Sequence, residues 1–492
     1  MAKNHTIKTS LRFEEKLWRS AEKLRSNLDA SEYRSVVLGL IFLKYISDLR
    51  DDKRKGYKRL SIPQIAHWKY LKENIKKPEI GKLIDKAMEA IEHDNPSLKG
   101  VLPKNFSSKG LEIQRLSELV ILIGTIELEA QENRNRDILG RVFEYFLGQF
   151  AKAEGKKGGQ FYTPPSVVRL LIEMIKPYKG RVYDPCCGSG GMFIQSDEFV
   201  RSHGGKVNDI SLYGQESNRT AWSLCKMNLA IRGLNGEIRW GDSFSNDLHT
   251  ELKADFILAN PPFNVKDWKG DQLRQDERWK YGIPPVRNAN YAWIQHFIHH
   301  LSPSGIAGFI LTNGSLSSTM SNEGNIRKNI VEANLVDCIV TLPDKLFYNT
   351  SIPACLWIIN KDKRKGMDQG KEVLFIDARE VGVLIDRVHK QLTEDDIKRI
   401  SETYNSWKNV TGKYEDVLGY CKSVKIDQIR ENKYILTPAR YIGVPTIDEK
   451  DESFYEKMGQ LLTELAEQFE ESEALIETIR ENIGDLGFDL KI

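Results

Sequence analysis

The sequence predicts an α/β protein: a parallel sheet covered by helices on both faces, with an all-helical N-terminal domain before it and a helical tail after it. Two observations carry this reading. Between about residues 155 and 380, short apolar runs alternate with helical patterns, which is the signature of strands joined by helical crossovers. On either side of that block, apolar residues recur every three or four positions instead, as on one face of a helix. The chain has 492 residues, enough for about three domains of ~150 residues. The expected division is 1–150, an N-terminal helical domain; 151–380, the α/β domain; 381–447, a mixed extension; and 448–492, an acidic C-terminal helix for subunit contact.

Each element follows from its pattern. Residues 32–50 place Val36, Val37, Leu40, Ile41, Leu43 and Ile46 at helical spacing, and 111–131 and 137–150 repeat it, the last with Leu139, Val142, Phe143, Phe146 and Leu147. The basic stretch 50–59 reads as a solvated loop ahead of a phosphate-contacting patch. Lys156-Lys157-Gly158-Gly159 reads as a flexible basic loop. Strands are then expected at 181–183, 211–214, 237–240, 254–259, 306–311, 336–342, 354–359 and 373–376, with helices such as 219–231 and 291–301 between them. Residues 392–407 look helical, and irregular sequence leads on to 434–441. From Phe454 the apolar positions Met458, Leu461, Leu465, Phe469, Leu475 or Ile476, Ile479 and Ile483 suit one long helix with a narrow apolar stripe.

Composition bounds the function. Hydrophobic residues are 40%, aromatics 9% and charged residues 29%, the range of a soluble globular protein and not of a fibre or a disordered chain. No run of ~18 apolar residues is present, so no transmembrane helix is expected. The N-terminal segment lacks a signal-like apolar core, which points to a cytoplasmic protein. The six cysteines, at 186, 187, 225, 338, 355 and 421, form no C-x-x-C pair, so neither a disulfide framework nor a structural zinc site is expected. Residues 448–492 carry 14 acidic and 4 basic residues, a charge of −10, which leaves +13 on the rest of the chain. A basic body suits a polyanionic ligand and an acidic tail a separate partner, although a solvated acidic helix has the same charge.

Four constellations carry chemistry. In Val182-Tyr183-Asp184-Pro185-Cys186-Cys187-Gly188-Ser189-Gly190-Gly191, a strand ends in an acidic residue, turns through glycines and opens a helix. Glycines admit close backbone approach, and a helix start offers free N–H groups. This is a nucleotide-type site at the end of a first strand; alone it would be a tight turn, and Phe193 breaks the dinucleotide fingerprint. Glu216 stands at the tip of the second strand, where a carboxylate accepts from both ribose hydroxyls, or simply begins a helix. Asp242, in Gly241-Asp242-Ser243-Phe244, follows the third strand and suits an adenine amino group. The fourth, Asn260-Pro261-Pro262-Phe263, ends an apolar strand. Its prolines fix φ and forbid continuation, so a rigid elbow offers the Asn260 side chain, the Pro261 carbonyl and an aromatic ring to a planar base bearing an exocyclic amine. His296, His299 and His300 lie on a predicted helix, but no carboxylate or cysteine is seen to complete a metal site, and none is expected. The segment 266–287, with Trp268, Arg274, Arg278 and Trp279, suits DNA contact, a mobile lid or a plain surface loop.

Taken in order, the four elements resemble the S-adenosylmethionine-dependent amino-methyltransferases that act on DNA adenine. The resemblance is closer still to the modification (M) subunits of type I restriction-modification systems. It extends to 137–141, to Gly159-Gln160-Phe161-Tyr162-Thr163-Pro164-Pro165, to Asn290-Tyr291-Ala292-Trp293-Ile294-Gln295-His296 and to Tyr33-Arg34-Ser35-Val36-Val37-Leu38-Gly39-Leu40, and covers about residues 10–445. Cys186-Cys187 departs from the small residues usual there.

The resemblance implies a Rossmann-like methyltransferase domain with S-adenosylmethionine as cofactor and no metal. Gln160, Phe161, Tyr162, Thr163, Pro164 and Pro165 would close over the methionine end, with Asp184, Gly188, Ser189, Gly190 and Gly191 in the glycine turn, Glu216 on the ribose and Asp242 near the adenine. Asn260, Pro261, Pro262 and Phe263 would act on a flipped-out adenine. The implied partners are double-stranded DNA, a specificity (S) subunit that reads the target, a second M subunit and a motor-nuclease (R) subunit. Two other readings stand beside it: a protein glutamine N5-methyltransferase, and a non-catalytic DNA-binding scaffold.

Overall fold

The structure, a computed structural model, describes residues 2–25, 28–49, 60–108, 110–126, 138–154, 162–206, 209–347, 352–363, 371–409, 413–443 and 454–485. The basic stretch 50–59 and the loop 156–159 lie outside these residues, as do Gln160 and Phe161.

Among the described residues, six helices open the chain: α1 (Ala2–Lys23), α2 (Ala30–Leu49), α3 (Trp68–Glu73), α4 (Ile80–Asp94), α5 (Ile113–Gly124) and α6 (Ile138–Glu154). The apolar positions that predict them are buried together: Val36, Val37, Leu40, Ile41, Leu43, Val142, Phe143, Phe146 and Leu147 share one hydrophobic cluster. Helix α7 (Pro165–Ile175) then leads into β1 (Gly180–Asp184), α8 (Gly191–Ser202), β2 (Ile210–Glu216), α9 (Arg219–Ile231), β3 (Gly236–Trp240), β4 (Ala254–Ala259), α10 (Asn290–His300), β5 (Leu301–Thr312), α11 (Glu323–Glu332), β6 (Val336–Thr341), β7 (Ala354–Asn360) and β8 (Glu372–Asp377). A short hairpin, β9 (Val383–Leu384) and β10 (Lys390–Gln391), precedes α12 (Glu394–Lys408), β11 (Cys421–Lys425) and α13 (Ile426–Glu431).

Among the described residues, the central sheet has nine strands in the order β11-β8-β6-β7-β5-β4-β1-β2-β3. Pairings from β5 through β4, β1 and β2 to β3 are all parallel. The sheet is nevertheless mixed, not parallel throughout as the alternation predicts: β7 runs antiparallel to β5 and β6, and β11 antiparallel to β8. The chain returns from β3 to β4 on the far side of β1, which puts the reversal of strand order between β1 and β4, the usual ligand position in such sheets. The parallel register brings the carboxyl ends of β1, β2, β3 and β4 to one edge.

Two hydrophobic clusters, one around the sheet and one among the N-terminal helices, meet at α9. Its Leu224, Met227 and Ile231 belong to the helical cluster, whereas Cys225 and Leu229 belong to the sheet. Arg232 reinforces the seam, donating to Glu144 on α6 at 3.1 Å. The N-terminal helices are thereby held against the strand edge that carries the motifs.

The chain divides at Gly443, and α14 (Phe454–Asp485) lies in the second unit, residues 443–492. Its exposed large apolar residues are Met458, Leu462, Leu465, Phe469 and Leu475. Ile476 is half-buried, and the side chains of Leu461, Ile479 and Ile483 lie outside the described set. No described helix is long and apolar enough to cross a membrane.

Candidate active site

At the end of β1, Asp184 is almost fully buried and accepts from the Cys186 N–H at 3.0 Å. Burial, with the negative charge of Glu216 nearby, pushes its carboxyl up to about 7. The glycine turn that follows needs its glycines. Gly188 and Gly190 have φ of +53° and +83°, and a Cβ on Gly190 would sit 2.8 Å from Cys225 Sγ. Gly190 is the N-cap of α8, so the first N–H groups of that helix open at the turn.

Glu216 ends β2 alongside it. Its two oxygens accept from the Gly188 N–H at 3.0 Å and the Asn218 N–H at 2.7 Å, which ties the tips of the first two strands together. Burial raises this carboxyl too. Beyond β3, Asp242 shapes its own turn by accepting from the Phe244 and Ser245 N–H groups at 3.1 and 2.7 Å, and Ser243 Oγ donates to the Pro185 carbonyl at 2.6 Å.

At the end of β4, Asn260 is 8% exposed. Its Nδ2 donates to Thr163 Oγ1 at 2.8 Å, while Oδ1 is buried with no hydrogen-bond partner. Such an orphaned acceptor is costly unless a ligand satisfies it. The elbow after the prolines is pinned by Asn290, whose Oδ1 accepts from the Asn264 N–H at 3.0 Å and whose Nδ2 donates to Asn264 Oδ1 at 2.9 Å. Pro261 is buried, and the Phe263 ring, 9% exposed, stands edge-on to Phe347 at 6.1 Å.

These elements converge on a cleft of ≈ 390 Å³, lined among others by Tyr162, Cys186, Gly188, Ser189, Glu216, Asp242, Asn260 and Pro262. Thr163 joins it through Asn260. Pro164 is the N-cap of α7 and Pro165 its first residue. Gly191 opens α8, beside the cleft-lining Ser189.

Sequence reasoning missed several contributors. Arg34 of α2 lines the cleft with Leu147 and Ala151 of α6, so the helical region is a wall of the site. Only the fold reveals that contact.

The 266–287 segment is anchored by inward-turned side chains, while about half of its residues, Arg274 among them, are exposed. Trp268, Arg278 and Trp279 are 3%, 6% and 7% exposed, and Trp268 packs on Phe244 at 5.1 Å between ring centres. Arg278 donates to the carbonyls of Ser243 and Phe244 at 2.7 and 2.6 Å and to Asp276, so it fastens the segment to the Asp242 turn.

The histidines require a further correction. A carboxylate does join them: Asp247 Oδ2 lies 2.8 Å from His300 Nε2, and Asp247, His296 and His300 place ligand-type atoms within 4.8 Å of one another. The Arg278 guanidinium occupies the same cluster, 3.1 Å from His296 Nδ1, and burial holds His296 well below its ordinary range.

A switch-point cleft with a glycine turn and an acidic strand tip defines a class, the Rossmann-like nucleotide-cofactor folds. Comparison narrows it. The N-6 DNA Methylase family matches residues 134–450 and the HsdM N-terminal domain residues 13–123. The type I restriction enzyme HindI methylase subunit of Haemophilus influenzae is 47% identical over 83% of this chain and 93% of its own. The MjaIX methylase subunit of Methanocaldococcus jannaschii is 39% identical over 97% and 92%. The chain belongs to the N-6 DNA methylase family, among the type I restriction enzyme methylase subunits. In fold it is similar to the type I methyltransferase subunit from Streptococcus thermophilus, with a TM-score of 0.74 at 24% identity, over 88% of this chain and all of that one.

Proposed function

We propose that the chain transfers a methyl group from S-adenosylmethionine to N6 of an adenine flipped out of double-stranded DNA, as the modification subunit of a type I complex. The observation that carries this is the buried, unpartnered Oδ1 of Asn260 in the cleft. Adenine's amine is a poor nucleophile because its lone pair is delocalised into the ring. Asn260 Oδ1 and the Pro261 carbonyl would accept from its two N–H groups and favour a pyramidal nitrogen, an electrostatic preorganisation. The methylated ammonium is acidic enough to lose its proton to water, so no strong base is needed. Pro262 and Phe263 would complete the base pocket, and a base within a duplex must leave the stack to reach it.

The residues present fit the cofactor. Glu216 would take the ribose hydroxyls, Asp242 the adenine side, and Asp184, Gly188, Ser189, Gly190 and Gly191 the turn against it. Gln160, Phe161, Tyr162, Thr163, Pro164 and Pro165 would close the methionine end, with Arg34 suited to its carboxylate. Bound there, S-adenosylmethionine supplies a methyl already activated by its sulfonium.

A separate S subunit would read the target, with a second M copy beside it and an R subunit joining for cleavage, in the cytoplasm. The proposed division of labour keeps the segments 1–150, 151–380, 381–447 and 448–492, the last contacting the S subunit. The glutamine methyltransferase and scaffold readings are not favoured by a chain in the N-6 DNA methylase family.

The test is Asn260→Ala, assayed by tritiated methyl incorporation into unmethylated genomic DNA with the S subunit present. The parent is expected to label adenine N6. The variant should lose at least ~10²–10³ in rate while calorimetry shows cofactor affinity within a few-fold. Equal single-turnover rates would remove Asn260 from the chemistry, and label confined to protein would favour the glutamine reading.

A further inference from the structure

Thr163 sits in the segment just before α7, 97 residues from Asn260 in sequence, yet the two side chains meet at 2.8 Å. The bond runs from Asn260 Nδ2 to the Thr163 hydroxyl oxygen. A primary amide has one acceptor end and one donor end, and only the acceptor end serves an incoming amine. With the donor end held by Thr163, the acceptor end, Oδ1, is the one left buried without a partner.

We infer that Thr163 is a positioning residue for methyl transfer: its hydroxyl holds Asn260 so that Oδ1 meets the substrate amine. This rests on the function proposed above and changes the part Thr163 plays, from cofactor contact to support of Asn260. It also gives a physical reason for the segment's place at the cleft. The hydroxyl is the group that matters, because a methyl in its place would leave the buried Nδ2 donor unsatisfied. The amide would then gain by rotating or by admitting water, and either change removes the acceptor from the amine.

The experiment uses the full-length chain in complex with its S subunit and two substitutions. Thr163→Val keeps the shape and deletes the hydroxyl, whereas Thr163→Ser keeps the hydroxyl. The single-turnover methylation rate reports the chemistry, and calorimetry with S-adenosylmethionine reports the cofactor site. Thr163→Val should slow methylation by roughly tenfold to a hundredfold, the scale of an unsatisfied buried donor, with cofactor affinity within threefold of the parent. Thr163→Ser should restore most of the rate. Retained cofactor binding by Thr163→Val also shows that the variant is folded. An unchanged rate would overturn the inference while leaving the methyltransferase reading standing. A loss of cofactor affinity matching the loss of rate would overturn it in favour of direct cofactor contact. A parent complex that leaves adenine unlabelled would overturn the functional reading and this inference together.

Discussion

Asp184 has almost no solvent, and although the Cys186 N–H supports its ionised form, burial outweighs that bond and leaves the carboxylate less stable than in an unfolded chain. The folded value of about 7 lies above the unfolded ~3.9, and the folded state therefore binds this proton more tightly. Its stabilising contribution is full below pH ~4 and is lost as pH rises through about 7. Asp184→Asn, which keeps an acceptor for Cys186, should flatten that dependence: between pH 5 and 7.5 the parent's melting temperature should fall more than the variant's. Parallel curves would remove Asp184 as the source. Two other substitutions probe the cofactor site by calorimetry with S-adenosylmethionine. Glu216→Ala removes a charged acceptor, a loss of about 1.5–3 kcal/mol, so affinity should fall roughly tenfold or more. Gly190→Val should weaken binding as well, because a branched residue meets both a φ of +83° and Cys225 Sγ. Unchanged affinity in both would place the cofactor elsewhere. The sequence makes Asp184 and Asn260 legible because each directly follows an apolar run, and Glu216 and Asp242 because each stands at or just past the end of an expected strand, where a turn begins. Arg34, the Thr163 bond and Asp247 beside His300 are illegible for the opposite reason. Each depends on segments brought together by packing, 97 residues apart for Thr163 and Asn260 and 53 for Asp247 and His300.

At the scale of elements, all eight expected strands are present: interior strands such as β6 and β7 are buried at every position and write long apolar runs, whereas the edge strand β3 is mostly exposed and its run is short. Strand direction is not written that way, which is why the antiparallel setting of β7 was invisible. Strand β11 escaped for another reason: Lys422, Ser423 and Lys425 interrupt its pattern, and it pairs only at the sheet's edge with β8. The 266–287 segment shows the limit most plainly. Its basic and aromatic residues suit a DNA surface or a lid, yet Arg278 is turned inward to hold two carbonyls and Asp276. Arg278→Ala would strand these buried acceptors, and breaking a buried charged network of this kind costs about 3–5 kcal/mol. The expected result is a large fall in melting temperature together with weaker S-adenosylmethionine binding, since the turn that Arg278 fastens carries Asp242. Stability and affinity both within error of the parent would mean that the segment is held by its tryptophans alone.

For the whole molecule, the question is what the second unit is for. Among the described residues, both hydrophobic clusters lie between Leu17 and Ile442. The tail contributes a charge of −10 over 448–492, which phosphate would repel, and direct DNA contact is disfavoured on that ground. Its helix shows Met458, Leu462, Leu465 and Phe469 to solvent at steps of four, three and four, the spacing of a seam that pairs with another helix. A protein partner suits both features. The S subunit is the partner proposed here, because in the proposed complex it reads the target to which the M subunit is delivered. The chain ending at Gly443 is therefore expected to melt near the parent temperature and to bind S-adenosylmethionine with parental affinity. It should fail to co-elute with the S subunit on size exclusion and should lose site-specific methylation. Normal assembly and methylation by the shortened chain would show that the tail is dispensable for that contact, whereas loss of cofactor binding would show that the first unit depends on the second.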